Sequence, residues 1–146
     1  MAFMNPPTML VPGVVNSPQW RRAEIPADNG HANARSLAGL YGALAAGGQE
    51  VLSGESLARC AGEESQGPDE VLVLETRFGP GFMLAQPHMK MGANPDAFGH
   101  PGAGGSLGFA DPKAGIGFGY TMNRMGPHLL IDPRPAALIE ALYDCL

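Results

Sequence analysis

Apolar positions recur with helical spacing near both ends of this chain and alternate in its middle. From Asn33 to Ala46, residues Ala34, Leu37, Ala38, Tyr41, Leu44 and Ala45 fall on one stripe of an α-helix. Asn33 is a residue type that caps helix starts, and Gly47-Gly48 supplies a stop. A shorter helix is expected over Glu55 to Ala61, capped by Ser53. From Val71 the period shortens to two. Val71 and Val73, then Phe82 and Leu84, alternate with other residues as strand side chains do. Further strands are expected at Phe98 to Ala103, Leu107 to Ala110 and Ile116 to Asn123. Asp-Pro-Lys-Ala-Gly at 111–115 is a turn signal, so the last two strands should form an antiparallel hairpin. In the last strand Gly115, Gly117 and Gly119 share one face, opposite Ile116, Phe118 and Tyr120. A face of glycines lets a helix or another backbone come close. A terminal helix is expected from Pro133 to Cys145, with Asp132 as N-cap and Pro133 in the first turn. Its apolar stripe is Leu138, Ile139, Leu142, Tyr143 and Leu146.

This order divides the chain into an irregular lead-in (1–30), a helical part (31–70), antiparallel strands (71–124) and a C-terminal helix (132–146). Pro6, Pro7, Pro12, Pro18 and Pro26 interrupt any regular pattern in the lead-in. A segment of that length without structure is unusual in an isolated domain. The fold class is α+β, an antiparallel sheet with packed helices.

The 146 residues suffice for one core, and 21 glycines with 14 prolines fit short elements and many turns. The net charge is −5, and the few lysines and arginines are scattered. No basic face for nucleic acid follows from that distribution. Cys60 and Cys145 have neither metal-type spacing nor a disulfide framework, so two reduced thiols are expected. No apolar stretch is long enough to span a bilayer, and the first residues lack a charged leader followed by an apolar core. The expected compartment is therefore the cytoplasm.

Candidate chemistry is sparse. Gly104-Gly105-Ser106-Leu107-Gly108 fits Gly-x-Ser-x-Gly, and Asp111 and His128 follow in the order of an α/β-hydrolase triad. That elbow needs a helix straight after the serine, whereas a turn between strands follows here. The glycines near residue 104 precede neither a helix nor a Gly-Lys-Ser/Thr, which argues against a phosphate loop. His31, His88, His100 and His128 lack ligand spacing, so no metal and no cofactor is expected. His31 belongs to the lead-in and His88 to a loop beside Pro87.

One segment carries a resemblance. Phe98-Gly99-His100-Pro101-Gly102-Ala103-Gly104-Gly105-Ser106 looks like the third motif of the penicillin-recognising serine enzymes, Lys-Thr-Gly or His-x-Gly. It precedes a strand, a turn and a strand ending in Tyr120-Thr121-Met122-Asn123-Arg124-Met125. Upstream, Glu24 to His31 leads into Ala34-Arg35-Ser36-Leu37-Ala38-Gly39-Leu40-Tyr41. In this order, over nearly the whole chain, the segments resemble the C-terminal half of esterases related to class C β-lactamases. The resemblance implies an incomplete β-lactamase-like (DD-peptidase) fold, completed by N-terminal strands and by an N-terminal helix beside the terminal one. It implies acyl transfer by a serine of Ser-x-x-Lys, with a lysine and a tyrosine moving protons. His100 would take the place of the motif lysine, Pro101 of the threonine and Gly102 of the glycine. The Ala103 backbone N–H would be one donor of the oxyanion hole. The substrate would be a small ester or amide.

Two departures bear on the substrate. His100 is mostly neutral at pH 7 and anchors a carboxylate less well than lysine. Pro101 removes the hydroxyl that would bind the carboxylate of a β-lactam or peptide. Both favour an ester hydrolase. None of Ser17, Ser36, Ser53, Ser56, Ser65 and Ser106 has lysine three positions on, and none of Tyr41, Tyr120 and Tyr143 has asparagine two positions on. Three classes of function follow: half of an esterase, inactive alone; a subunit complementing an N-terminal half on a separate chain; or a non-catalytic binding module that keeps the scaffold.

Overall fold

The structure, a computed structural model, describes residues 11–146, so Pro6 and Pro7 of the lead-in lie outside the described residues. The chain divides into two compact units, Met1–Ala32 and Asn33–Leu146. The described part of the first unit is not irregular. A 3-10 turn at Val14–Asn16 is followed by helix α1, Pro18–Arg22. Pro18 starts this helix rather than breaking it, because its missing N–H falls where no intrahelical acceptor is needed. Ser17 caps it by accepting the Trp20 N–H at 3.1 Å. Asn29 then folds the chain back by donating to the carbonyls of Trp20 and Ala23.

The second unit is built on a six-stranded antiparallel sheet in simple sequential order. Its strands are β1 (Ser65–Asp69), β2 (Leu74–Phe78), β3 (Met83–Leu84), β4 (Phe98–Pro101), β5 (Leu107–Asp111) and β6 (Ile116–Tyr120). Helices α2 (Ala34–Ala45) and α3 (Gly54–Cys60) precede it and α4 (Pro133–Tyr143) follows. The three expected caps are in place: Asn33, Ser53 and Asp132 each accept a backbone N–H of the first turn of α2, α3 and α4.

Alternation sorts the sheet into two faces. Leu84, Phe98 and Ala110 pack with Leu44, Ala45 and Leu57 of α2 and α3. Met83, Leu107 and Phe109 pack with Met89, Met91 and Ile139 of α4. The glycine face of β6 explains how α2 lies so close. A Cβ at Gly117 would collide with the backbone of Gly42 and Tyr41, and one at Gly119 would stand 2.5 Å from the Ala34 carbonyl oxygen.

Several boundaries differ from the sequence reading. The stretch 31–70, read as helical, ends in β1, whose Ser-Gln-Gly-Pro-Asp has no apolar alternation. β1 is an edge strand held by backbone pairing to β2, a place where Pro68 removes no needed bond. Val71 and Val73, read as strand, form the exposed tip of that hairpin, because Asp69 Oδ1 accepts the N–H groups of Val71 and Leu72, both at 2.8 Å, and turns the chain. β4 ends at Pro101 instead of Ala103, and β6 at Tyr120 instead of Asn123. Gly115 lies in the turn before β6 with φ +68°, so the glycine face comprises Gly117 and Gly119 only. On α4, Leu138 is exposed while Pro135 and Ile139 are buried, and Leu146, expected in the helix stripe, lies exposed beyond the helix end at Tyr143. Leu138 is one helical step from Ile139 and falls outside the stripe that faces the sheet.

Candidate active site at the end of strand β4

His100, Pro101 and Gly102 sit where β4 runs out of one neighbour. β3 pairs only with Phe98 and Gly99, whereas β5 continues to pair through His100↔Gly108 and Pro101↔Leu107. The Gly102 N–H donates toward β5, to the Ser106 carbonyl at 2.6 Å. Strand N–H groups alternate in direction, so Pro101 turns its ring nitrogen away from β5, toward the side that β3 has left. Proline here removes no ladder bond.

The Ala103 N–H is oriented by its own peptide. The Gly102 carbonyl, in the same peptide unit, accepts the Gly105 N–H at 3.0 Å across the hairpin. In a trans peptide C=O and N–H point opposite ways. The Ala103 N–H is thus aimed out of the loop, and no carbonyl of the described residues accepts it. The loop needs glycine at 104 and 105, where φ is +92° and +119°.

His100 is exposed and Pro101 buried. The His100 Nδ1–H donates to the Pro101 carbonyl at 2.6 Å, which in the neutral ring leaves the lone pair on Nε2. Phe78 flanks the imidazole at 6.5 Å between ring centroids. Two cavities, of about 370 Å³ and about 830 Å³, lie elsewhere, and neither is lined by residues 100–103.

The Gly-x-Ser-x-Gly reading fails on geometry. Ser106 precedes β5 and Asp111 ends it, roughly 17 Å apart at the rise of an extended strand. A strand, not a helix, follows Ser106. The Asp111 carboxylate is fully buried and occupied: it accepts from Asn94 Nδ2 at 2.8 Å, from the Tyr143 hydroxyl at 2.6 Å and from the Ala114 N–H at 3.1 Å. Burial opposes its ionisation, but the bonds from Tyr143, Asn94 and Ala114 outweigh that and hold Asp111 below the usual carboxylate range. Burial, then the bond to Asp111, pushes the Tyr143 hydroxyl well above its ordinary value. The histidines do not converge either. His31 contacts the Asn29 and Val15 carbonyls, and His88 the Glu75 carbonyl. Among the described residues no three His, Cys, Asp or Glu side chains are grouped as a metal site would need.

Sequence reasoning missed an ion pair beside the candidate site. Asp132, read only as a cap, is buried and receives Arg134 Nε and Nη2 in a two-pronged contact, each at 2.8 Å. The Arg134 side-chain bonds, followed by its backbone N–H, hold the Asp132 carboxyl far below the usual range, and the pairing in turn raises Arg134. The spacing Asp132-Pro133-Arg134 was visible, but only the fold shows that the pair lies against the β4–β5 loop.

An all-antiparallel sheet between helices is the architecture of the β-lactamase-like fold, of which this chain carries a part. Residues 3–142 match the Beta-lactamase family, and the chain belongs to that family. It is 37% identical over 135 residues to the esterase/beta-lactamase LipL of Mycobacterium tuberculosis, covering 86% of this chain and 30% of LipL. Among solved structures, a family VIII carboxylesterase is 47% identical with a TM-score of 0.83, over 90% of this chain and 36% of that one. A penicillin-binding protein homolog from Caulobacter crescentus is 44% identical with a TM-score of 0.83, over 89% and 36%. EstA from Arthrobacter nitroguajacolicus is 32% identical with a TM-score of 0.78, over 90% and 37%. The chain therefore spans about a third of the length of these relatives. Among the described residues no helix is long and apolar enough to cross a membrane.

Proposed function

We propose that this chain is the C-terminal part of a serine hydrolase that cleaves small carboxylic esters through an acyl-enzyme. The nucleophilic serine, its lysine and the tyrosine belong to an N-terminal part. In this reading His100, Pro101 and Gly102 border the cleft, and the Ala103 N–H is one of the two donors that stabilise the oxyanion. The outward aim of the Ala103 N–H is the observation that carries the reading, because an oxyanion donor must be fixed in place and free of internal partners. An ester is favoured over a β-lactam by His100 and Pro101 at the positions of the motif lysine and threonine. The family VIII carboxylesterase, a relative named for esters alone, agrees with that choice, while LipL is named for both activities. An N-terminal partner is supported by β6, which pairs only with β5 among the described strands, and by the exposed side chains Leu129, Leu138 and Leu146.

The test is turnover of p-nitrophenyl esters by the isolated chain and by the chain mixed with the N-terminal part of a family VIII carboxylesterase. The chain alone should be inactive, since an oxyanion donor worth roughly 10²–10³ in rate acts only on an attack begun elsewhere. The mixture should be active, His100→Ala should impair it and Ser106→Ala should change little. Activity of the chain alone that vanishes in Ser106→Ala would overturn the proposal. A mixture that binds esters without turning them over would favour a non-catalytic binding module.

A further inference from the structure

We propose that Arg134 is a positioning residue: its guanidinium, locked on Asp132, clamps the β4–β5 loop and thereby fixes the direction of the Ala103 N–H. The inference rests on the hydrolase reading above and adds to it a residue 31 positions away in sequence.

Gly104, next to Ala103, is held at both of its backbone groups. Its N–H donates to the His128 carbonyl at 2.9 Å. Its carbonyl accepts the Gly126 N–H at 2.7 Å and Arg134 Nη2 at 3.1 Å. The same guanidinium spends Nη1 on the Arg124 carbonyl at 3.0 Å. One planar cation thus ties the start of α4, the segment after β6 and the loop after β4 together. Asp132 is what holds that cation in place. Its two oxygens take Nε and Nη2, and Oδ1 also accepts the Arg134 backbone N–H at 2.9 Å. A two-pronged carboxylate contact fixes the plane of a guanidinium as well as its position.

The glycines around the clamp show how close it lies. A Cβ at Gly105 would stand 2.9 Å from Arg134 Nη2 and 3.1 Å from Asp132 Oδ2. A Cβ at Gly126 would stand 2.8 Å from the same Nη2. Only bare backbone fits between the ion pair and the loop. With Gly104 fixed on one side and the Gly102 carbonyl bonded to Gly105 on the other, the peptide that carries the Ala103 N–H has little freedom to rotate. A lysine at 134 would keep the charge but, as a point donor, could not make the fork.

Two measurements on Arg134→Gln and Arg134→Lys test this. Amide hydrogen exchange of the chain, followed by NMR, should show Gly104 and Gly105 exchanging about tenfold faster in both variants, with Leu44 and Ala45 of α2 unchanged as the mark of an intact fold. Unchanged loop protection in a folded variant would overturn the proposal, as would full protection with lysine. Should Arg134→Gln fail to fold, Arg134→Lys decides alone. Arg77→Gln, which breaks the other ion pair of this unit, Arg77–Glu63, should leave the loop untouched. In the reconstituted esterase, Arg134→Lys should lower kcat by roughly 10-fold to 100-fold with KM nearly constant, the signature of a misplaced transition-state donor. An active parent whose kcat is indifferent to Arg134 would sink the positioning role and leave the hydrolase reading standing. An inactive parent mixture would remove the hydrolase reading, and the positioning role with it.

Discussion

The two faces of the sheet are held by opposite means. On the α2 side, β6 contributes no side chain at Gly117 and Gly119, and helix backbone rests on strand backbone. On the α4 side the space is filled by Met83, Met89, Met91, Leu107 and Phe109, and a buried carboxylate, Asp111, is satisfied by Asn94 and Tyr143. At β6 the α2 face is specified by what is absent and tolerates no addition, although farther along the sheet Leu84, Phe98 and Ala110 fill it with side chains. The other is specified by volume and by polar pairing, and it responds in proportion to what is removed.

The sharpest way to break this comparison is Gly117→Val. With Gly42 and the Tyr41 carbonyl carbon already in the way, the helix must lift, and we expect failure to fold or a loss exceeding about 5 kcal/mol in denaturant unfolding. Gly115→Ala is its control. Nothing lies within 4 Å of a Cβ there, so only the left-handed backbone resists, at a cost of about 1 kcal/mol. Equal effects at 115 and 117 would mean that close packing is not what the glycine face is for.

On the opposite face Phe109→Ala should cost about 3–5 kcal/mol, because Phe109 is fully buried and its ring stacks on Phe118 at 5.1 Å. The result should be a weakened but folded protein, readable as a lower denaturant midpoint with an unchanged slope.

These contrasts bear on what the sequence could reveal. Elements whose cause is local were legible: the caps Asn33, Ser53 and Asp132, the stripe of α2, and the β5–β6 hairpin around 111–115. β1 was not, because an exposed edge strand of Ser-Gln-Gly-Pro-Asp is made by its partner's backbone and carries no hydrophobic period. Val71 and Val73 misled for the converse reason, since β-branched residues at an exposed tip mimic a strand. In the candidate site, His100 to Ala103 could be singled out only through resemblance. Periodicity says nothing of an N–H direction set by a bond between Gly102 and Gly105. The Asn94–Asp111–Tyr143 cluster and the Arg134 contact with Gly104 join residues 17 to 32 positions apart, beyond any local pattern.

The polar part of the α4 face gives a pH signature. Asp111 has its carboxyl held below the usual range in the fold, so its contribution is complete above the unfolded value of about 3.9 and is lost as pH falls through the folded one. Asp132 acts in the same direction. Tyr143 is raised, so its contribution is complete below about pH 10 and is lost on going higher. Tyr143→Phe should cost about 1–2 kcal/mol near neutrality and flatten the alkaline limb of a stability–pH curve. An alkaline limb that persists in this variant would show that Tyr143 is not its source.

The smallest effect is expected at the β1–β2 tip, where neither face of the sheet is involved. Val73 is 85% exposed, so removing its side chain from the surface loses almost no buried area. Its φ of +58° is left-handed, a conformation that a β-branched residue adopts only under strain. Asparagine tolerates that backbone better, since a short polar side chain can hydrogen-bond locally and lacks the branch at Cβ. The turn itself is held by Asp69, which accepts from Val71 and Leu72 and whose carbonyl takes the Val73 N–H at 2.8 Å, none of which needs the valine side chain. Val73→Asn should therefore raise stability by up to about 1 kcal/mol, the strain of a single misplaced backbone. The measurement is the shift in denaturant midpoint against the parent. A clear loss of stability would mean that this valine has apolar contacts that the isolated chain makes in solution, and that the tip belongs with the packed faces rather than apart from them.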